Sequence, residues 1–174
     1  MIQEMLRRYE MVKIVGIYHS DRSERQRMST SYYLMPCVCQ RLANDSDEMV
    51  RRNIALKPIA PDNVLRKLSK DVAIGVRLCL ARNVTLPLDT IETLNNDFPS
   101  VVFNLASNVS VPPEMLDEIL KKHGDLGDDE YRMLQLAVAK NKSVNKRTLV
   151  RLAKSMDYEV HKAAINNLTG IMCG

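Results

Sequence analysis

The sequence has no tryptophan and only 2 phenylalanines, and its 6 tyrosines complete an aromatic share of 5%. Proteins that grip single-stranded nucleic acid stack bases on aromatic faces, so few such platforms are on offer. No apolar run approaches the ~18 residues that a bilayer-spanning helix needs, and the start MIQEMLRRYE carries charges where a signal peptide has its apolar stretch. The expected setting is cytoplasmic, away from the membrane. Four cysteines (Cys37, Cys39, Cys79, Cys173) with no secretory signal are expected to be reduced thiols. Cys37 and Cys39 sit two apart, which on a helix turns them about 200° from each other and away from any common ligand.

Histidine is scarce as well. His19, His123 and His161 are scattered, with no HxxxH and no carboxylate at ligand spacing, so no metal site is expected. Glycine, at 6 residues, forms no GxGxxG, Walker-type loop or nucleophile elbow. The expectation is a protein with no catalytic residues and no cofactor.

What is present is a globular make-up, 45% hydrophobic and 26% charged over 174 residues, enough chain for one domain that buries roughly two-thirds of its unfolded surface. The net charge of +4 is unevenly spread: residues 1–82 carry +6, residues 83–130 carry −8 and residues 131–174 carry +6. A continuous basic stripe, the usual footprint of a duplex-binding protein, is not what this pattern describes.

The sequence also repeats. VRRNIALKPIAPDNVLRKL from Val50, VRLCLARNVTLPLDTIETL from Val76, VVFNLASNVSVPPEMLDEI from Val101 and LQLAVAKNKSVNKRTLVRL from Leu134 align, and VHKAAINNLTGI from Val160 begins a fifth copy. The anchors Val50, Val76, Val101, Leu134 and Val160 are evenly spaced except at the third interval, which is longer. Columns recur at Ala55, Ala81, Ala106 and Ala139, and at Asn83, Asn108, Asn141 and Asn167, with Lys57 in the first copy. Pro61, Pro87 and Pro112 form another, with Asn145 in the fourth copy; Leu65, Ile91, Leu116 and Leu149, then Leu68, Leu94, Ile119 and Leu152, follow.

Each column has a physical reading. Apolar residues at helical spacing up to the alanine predict an amphipathic helix, and the alanine a close approach between helices. The asparagine reads as a C-terminal cap in the left-handed region, and the proline as the first residue of a shorter second helix. Asp45, Asp71 and Asp97 fall before the next long helix, where a carboxylate accepts backbone N–H groups. So short a helix pair encloses no core alone and must stack on its neighbours.

Val76–Leu94, with its valine-arginine start, alanine-x-asparagine end, proline and following leucines, resembles the leucine-rich repeat variant family, and weaker matches run from Val50 to Leu152. The resemblance implies an all-α, right-handed α-solenoid superhelix of helix-pair repeats of about 26 residues, armadillo-like, with α helices alternating with 3₁₀ or short α helices. The family's founding member holds an iron-sulfur centre in an N-terminal cysteine cluster, and this chain departs from it, since Cys37 and Cys39 fall short of four grouped thiolates. Residues 42–174 are expected to form the array. Residues 1–41 would be an N-terminal cap with a possible degenerate repeat: a helix through Ile2, Met5, Leu6 and Tyr9, an apolar segment from Val12 to Tyr18, the polar stretch SDRSERQRMSTS, and Pro36, Cys39 and Leu42 close to one period before Pro61, Leu65 and Leu68.

In helix-pair solenoids the second helices commonly line the inner surface. Arg66, Lys67 and Lys70 in the first copy and Arg147, Arg151 and Lys154 in the fourth fall there, with Glu92, Asp117 and Glu118 between them. Arg51, Arg52, Arg77 and Arg82 make a second basic strip on the first helices. The long third interval contains HGDLGDDEYR (123–132), expected to be a solvated acidic loop that lacks the ligand alternation of a calcium loop. The expected function is a non-catalytic binding module for another protein, acting through the concave surface and the acidic loop. The alternative is a nucleic-acid binder that contacts phosphates with the basic patches. Oligomeric state is left open by the sequence.

Overall fold

The computed structural model describes residues 21–31 and 34–172, which among themselves form eleven α helices and no strand. They are α1 (Arg22–Thr30), α2 (Pro36–Leu42), α3 (Glu48–Ala55), α4 (Asp62–Leu68), α5 (Ile74–Leu80), α6 (Leu88–Leu94), α7 (Pro99–Ser107), α8 (Pro113–Lys122), α9 (Asp128–Lys140), α10 (Lys146–Leu152) and α11 (Tyr158–Met172). The expected helix at Ile2–Tyr9, the apolar segment Val12–Tyr18, His19 and Cys173 lie outside the described residues. No 3₁₀ helix occurs among the described residues: the short members of each pair are α.

The chain divides into two compact units, Met1–Thr90 and Ile91–Gly174. In the N-terminal unit α3 packs against α1 and α5, with α2 and α4 alongside. In the C-terminal unit α9 packs against α7 and α11, and α10 lies along α11. The core is made of the aligned columns. Val50, Val76, Val101, Leu134 and Val160 are fully buried, as are the four column alanines, and the paired aliphatic residues of the second helices are buried with them. Burying such side chains is the main favourable term in folding, about 1.5–3 kcal/mol for each large aliphatic residue.

Alpha-1 departs from expectation: SDRSERQRMSTS reads as a polar stretch, yet Arg22–Thr30 is helical and packs on α3. Ser29 is fully buried in the position of the column alanines, one repeat period before Ala55. Polar contacts hold the helix. Arg22 Nε donates to Asp47 Oδ2 at 2.6 Å, Arg25 Nε to Asp45 Oδ2 at 2.7 Å, Gln26 Nε2 to Asp47 Oδ2 at 2.7 Å, and Asn53 Nδ2 to Ser29 Oγ at 2.8 Å.

The asparagines act differently from the cap predicted for them. No non-glycine residue among those described has a positive φ, and Asn108 and Asn141 take extended backbone at the ends of α7 and α9. The side chain does the work instead. Asn83 Nδ2 donates to the carbonyls of Ala55 (2.7 Å) and Lys57 (2.9 Å), which leave the end of α3. Asn141 reaches Ala106 (2.8 Å) and Asn108 (2.9 Å), and Asn167 reaches Ala139 (3.0 Å) and Asn141 (2.7 Å). The carboxamide oxygen of Asn83 or Asn141 accepts the N–H two residues on, from Thr85 or Ser143. One amide thus satisfies carbonyls that a helix end leaves unpaired and shapes the turn that follows. Lys57, the exception in this column, donates its ammonium to the Ser31 carbonyl at the end of α1.

The remaining caps are displaced by a residue or two from their expected places. Pro61 and Pro112 stand at the N-cap, not inside the helix, and Asn145 takes that position in α10, accepting from the Thr148 N–H at 2.8 Å. Asp45 and Asp71 accept the N–H of the cap residues Asp47 and Ala73, at 2.9 Å each.

Two outcomes follow for stability. Asn141→Ala leaves two buried carbonyls without their donor and should cost about 2–4 kcal/mol in urea unfolding, whereas Asn44→Ala, at an exposed amide, should change little. The Asp47 carboxyl is lowered from 3.8 to about 2, chiefly by the Arg22 hydrogen bond, with the Met49 N–H and Gln26 amide adding to it. A depressed folded value contributes stability that is present above the unfolded value and lost as pH falls through the folded one. Helicity followed by circular dichroism should therefore drop between about pH 4 and pH 2, and Asp47→Asn should flatten that limb.

Candidate partner-binding surface

The ten basic residues that sequence reasoning singles out fall into two sets once their surroundings are known. Six are engaged inside the molecule. Arg51 is the most enclosed, its side chain 13% exposed: Nε and Nη2 grip both Asp71 oxygens at 2.7 and 2.9 Å, and Nη1 donates to the Asp45 carbonyl at 2.8 Å. Burial works to raise the Asp71 carboxyl, but the Arg51 hydrogen bonds and the Ala73 N–H outweigh it and hold it below its ordinary value. Arg77, one repeat further on, copies part of this, its Nη1 donating to the Asp71 carbonyl at 2.5 Å. These two arginines tie the start of their own helix to the preceding turn.

Arg52 pairs with Glu48 at 2.5 Å, one helical turn away. Its guanidinium lies over Gly75, where an added Cβ would come 1.9 Å from Nη2. A side chain at position 75 would make the guanidinium shift from this place. Arg66 bonds Asp89 Oδ2 at 2.6 Å and approaches Asp62 at 3.6 Å, Lys67 donates to Asn44 Oδ1, and Arg151 Nη2 donates to Asp117 Oδ1 at 2.7 Å. Asp117 also takes Lys121 at 2.8 Å and the Thr148 hydroxyl at 3.2 Å, and the Lys121 bond leads in lowering its carboxyl.

The other four, Lys70, Arg82, Arg147 and Lys154, are exposed and form no ion pair among the described residues. In the N-terminal unit Lys67 and Lys70 border an open groove with Asn44, Arg51, Asp71 and Val72. In the C-terminal unit Arg147 lies on α10 and Lys154 in the turn that follows it, and Glu114 and Glu118 are exposed on α8.

The acidic stretch from His123 to Arg132 is only partly a loop. Asp128, Asp129 and Glu130 occupy the first turn of α9, where carboxylates favour the positive end of the helix dipole. The two described histidines bind helix ends: His123 Nε2 lies 3.0 Å from the Asn95 carbonyl, and His161 Nδ1 lies 2.6 Å from that of Ala153. Cys39 is buried and Cys37 half-buried. Burial raises the Cys79 thiol in spite of the nearby Arg52 and Arg82, so that strip does not create a thiolate. Among the described residues, no three His, Cys, Asp or Glu side chains group to hold a metal ion, and no helix is long and apolar enough to cross a membrane.

Comparison with protein-family models, curated proteins and solved structures finds no match.

The two classes of arginine should separate by mutation. Asp71→Ala strands a largely buried guanidinium and should cost about 3 kcal/mol in chemical unfolding. Arg66→Ala, at a half-exposed pair, should leave the unfolding midpoint where it is.

Proposed function

We propose that the chain is a non-catalytic helical-repeat module that binds another protein, its stacked helix pairs winding as a right-handed solenoid of the leucine-rich repeat variant kind. The docking surface on this reading is the concave face of second helices, flanked by the acidic segment ahead of α9. The recurrence of the asparagine bond between successive pairs in each compact unit supports the repeat.

One observation carries the preference for protein over nucleic acid. Of the arginines expected to contact phosphate, several are paired within the molecule: Arg51 with Asp71, Arg52 with Glu48, Arg66 with Asp89 and Arg151 with Asp117. A protein that neutralises phosphates releases counterions through free cations in a row. Of the ten, Lys70, Arg82, Arg147 and Lys154 are left without an ion pair among the described residues, with exposed carboxylates on neighbouring helices. Mixed charge of this kind selects a partner of complementary pattern.

Fluorescence anisotropy with labelled duplex and single-stranded DNA and RNA at two salt concentrations tests the choice. The expected result is no binding at physiological salt, with specific peptides recovered in a display selection against the folded chain. Tight, salt-sensitive binding of nucleic acid, abolished by Lys70→Glu together with Arg147→Glu and Lys154→Glu, would overturn it.

A further inference from the structure

The C-terminal unit carries one helix face whose charge is of a single sign. On α10, Arg147, Val150 and Arg151 follow the i, i+3, i+4 spacing that places residues on one side of a helix, and Lys154 stands in the turn just after the C-cap Ala153. All four are exposed, as is Lys146 beside them. Helix α10 itself holds no acidic residue. Arg151 is committed to Asp117, which leaves Arg147 and Lys154 as the cations of the stripe that no described carboxylate pairs. Between them Val150 is 43% exposed and gives the stripe an apolar centre.

The inner side of the same helix is fixed. Thr148, Leu149 and Leu152 are buried, Asn145 caps the start, and His161 approaches the Ala153 carbonyl at the end. The stripe is therefore displayed on a short but rigid support, which lowers the ordering cost of any contact made through it.

We infer that this stripe docks an acidic segment of a partner protein, carboxylates meeting Arg147 and Lys154 and an apolar side chain covering Val150. This rests on the protein-binding reading and narrows it to one partner chemistry. A short amphipathic helix offers one such segment: seven residues of helix rise about 10 Å, so carboxylates at i and i+7 flank an aliphatic residue at i+3 or i+4 on one face. A phosphate polymer suits it less, because the centre of the stripe is apolar.

The test titrates the full chain into labelled helix-forming peptides that carry glutamates at i and i+7 and leucine at i+3. Companion peptides replace the glutamates by lysine or the leucine by serine, and a labelled RNA oligonucleotide runs in parallel. The acidic peptide should bind better than either companion. Arg147→Glu with Lys154→Glu, and separately Val150→Asp, should each weaken it about tenfold or more, while Lys70→Glu leaves it unchanged. Circular dichroism confirms that these surface variants stay folded. Equal binding of the acidic and lysine peptides, or binding that survives the α10 variants, overturns the inference. If a peptide of other composition binds the chain elsewhere, the inference falls and the protein-binding reading stands. If the RNA binds through these residues and the peptides do not, both fall.

Discussion

A helix ends with carbonyls that have no partner, and in this protein a side chain from two helices further along supplies it. Asn83, Asn141 and Asn167 each span two such carbonyls with one amide group. The bond is between neutral groups and buried, so it is directional and little affected by salt. Hydrophobic burial drives α3 against α5 and α9 against α11, but apolar contact alone tolerates sliding. The amide fixes how far one helix lies along the next.

A second, electrostatic set of ties runs beside the first. Arg25 pairs with Asp45 and Arg51 with Asp71, and each aspartate also accepts a backbone N–H at the start of the next helix. The two sets divide the labour: asparagine joins helix ends, arginine joins helix beginnings. In α1, which buries little apolar surface, the charged set does most of the holding.

The buried columns were legible in the sequence, because burial follows the period of the residues that need it. Val50 through Val160 and the column alanines are all fully enclosed. What a column does was less legible. Asn83 looks like a left-handed cap if only its neighbours are considered, since local sequence does not reveal a bond that reaches back across a whole repeat. Alpha-1 lacks an apolar stripe and so gives no helical signal, although Arg25 lies one period before Arg51 and Ser29 the same distance before Ala55. Aligning polar residues would have found it. The charged surface was the least legible part: whether Arg51 or Arg147 faces solvent depends on which carboxylate the fold brings near, and only the packed helices decide that.

The irregular interval between Val101 and Leu134 shows where the chain absorbs extra length. Asn141 still reaches Ala106 and Asn108 across the longer interval, as Asn83 reaches Ala55 and Lys57 across a regular one. The added residues lengthen α8 and α9 and form the turn between them, where Gly127 has nothing within 4 Å of an added Cβ. The turn from a second helix to the next first helix is therefore a natural insertion point. A tag or a foreign loop placed after Gly124 would stand clear of the bonds made by Asn83, Asn141 and Asn167.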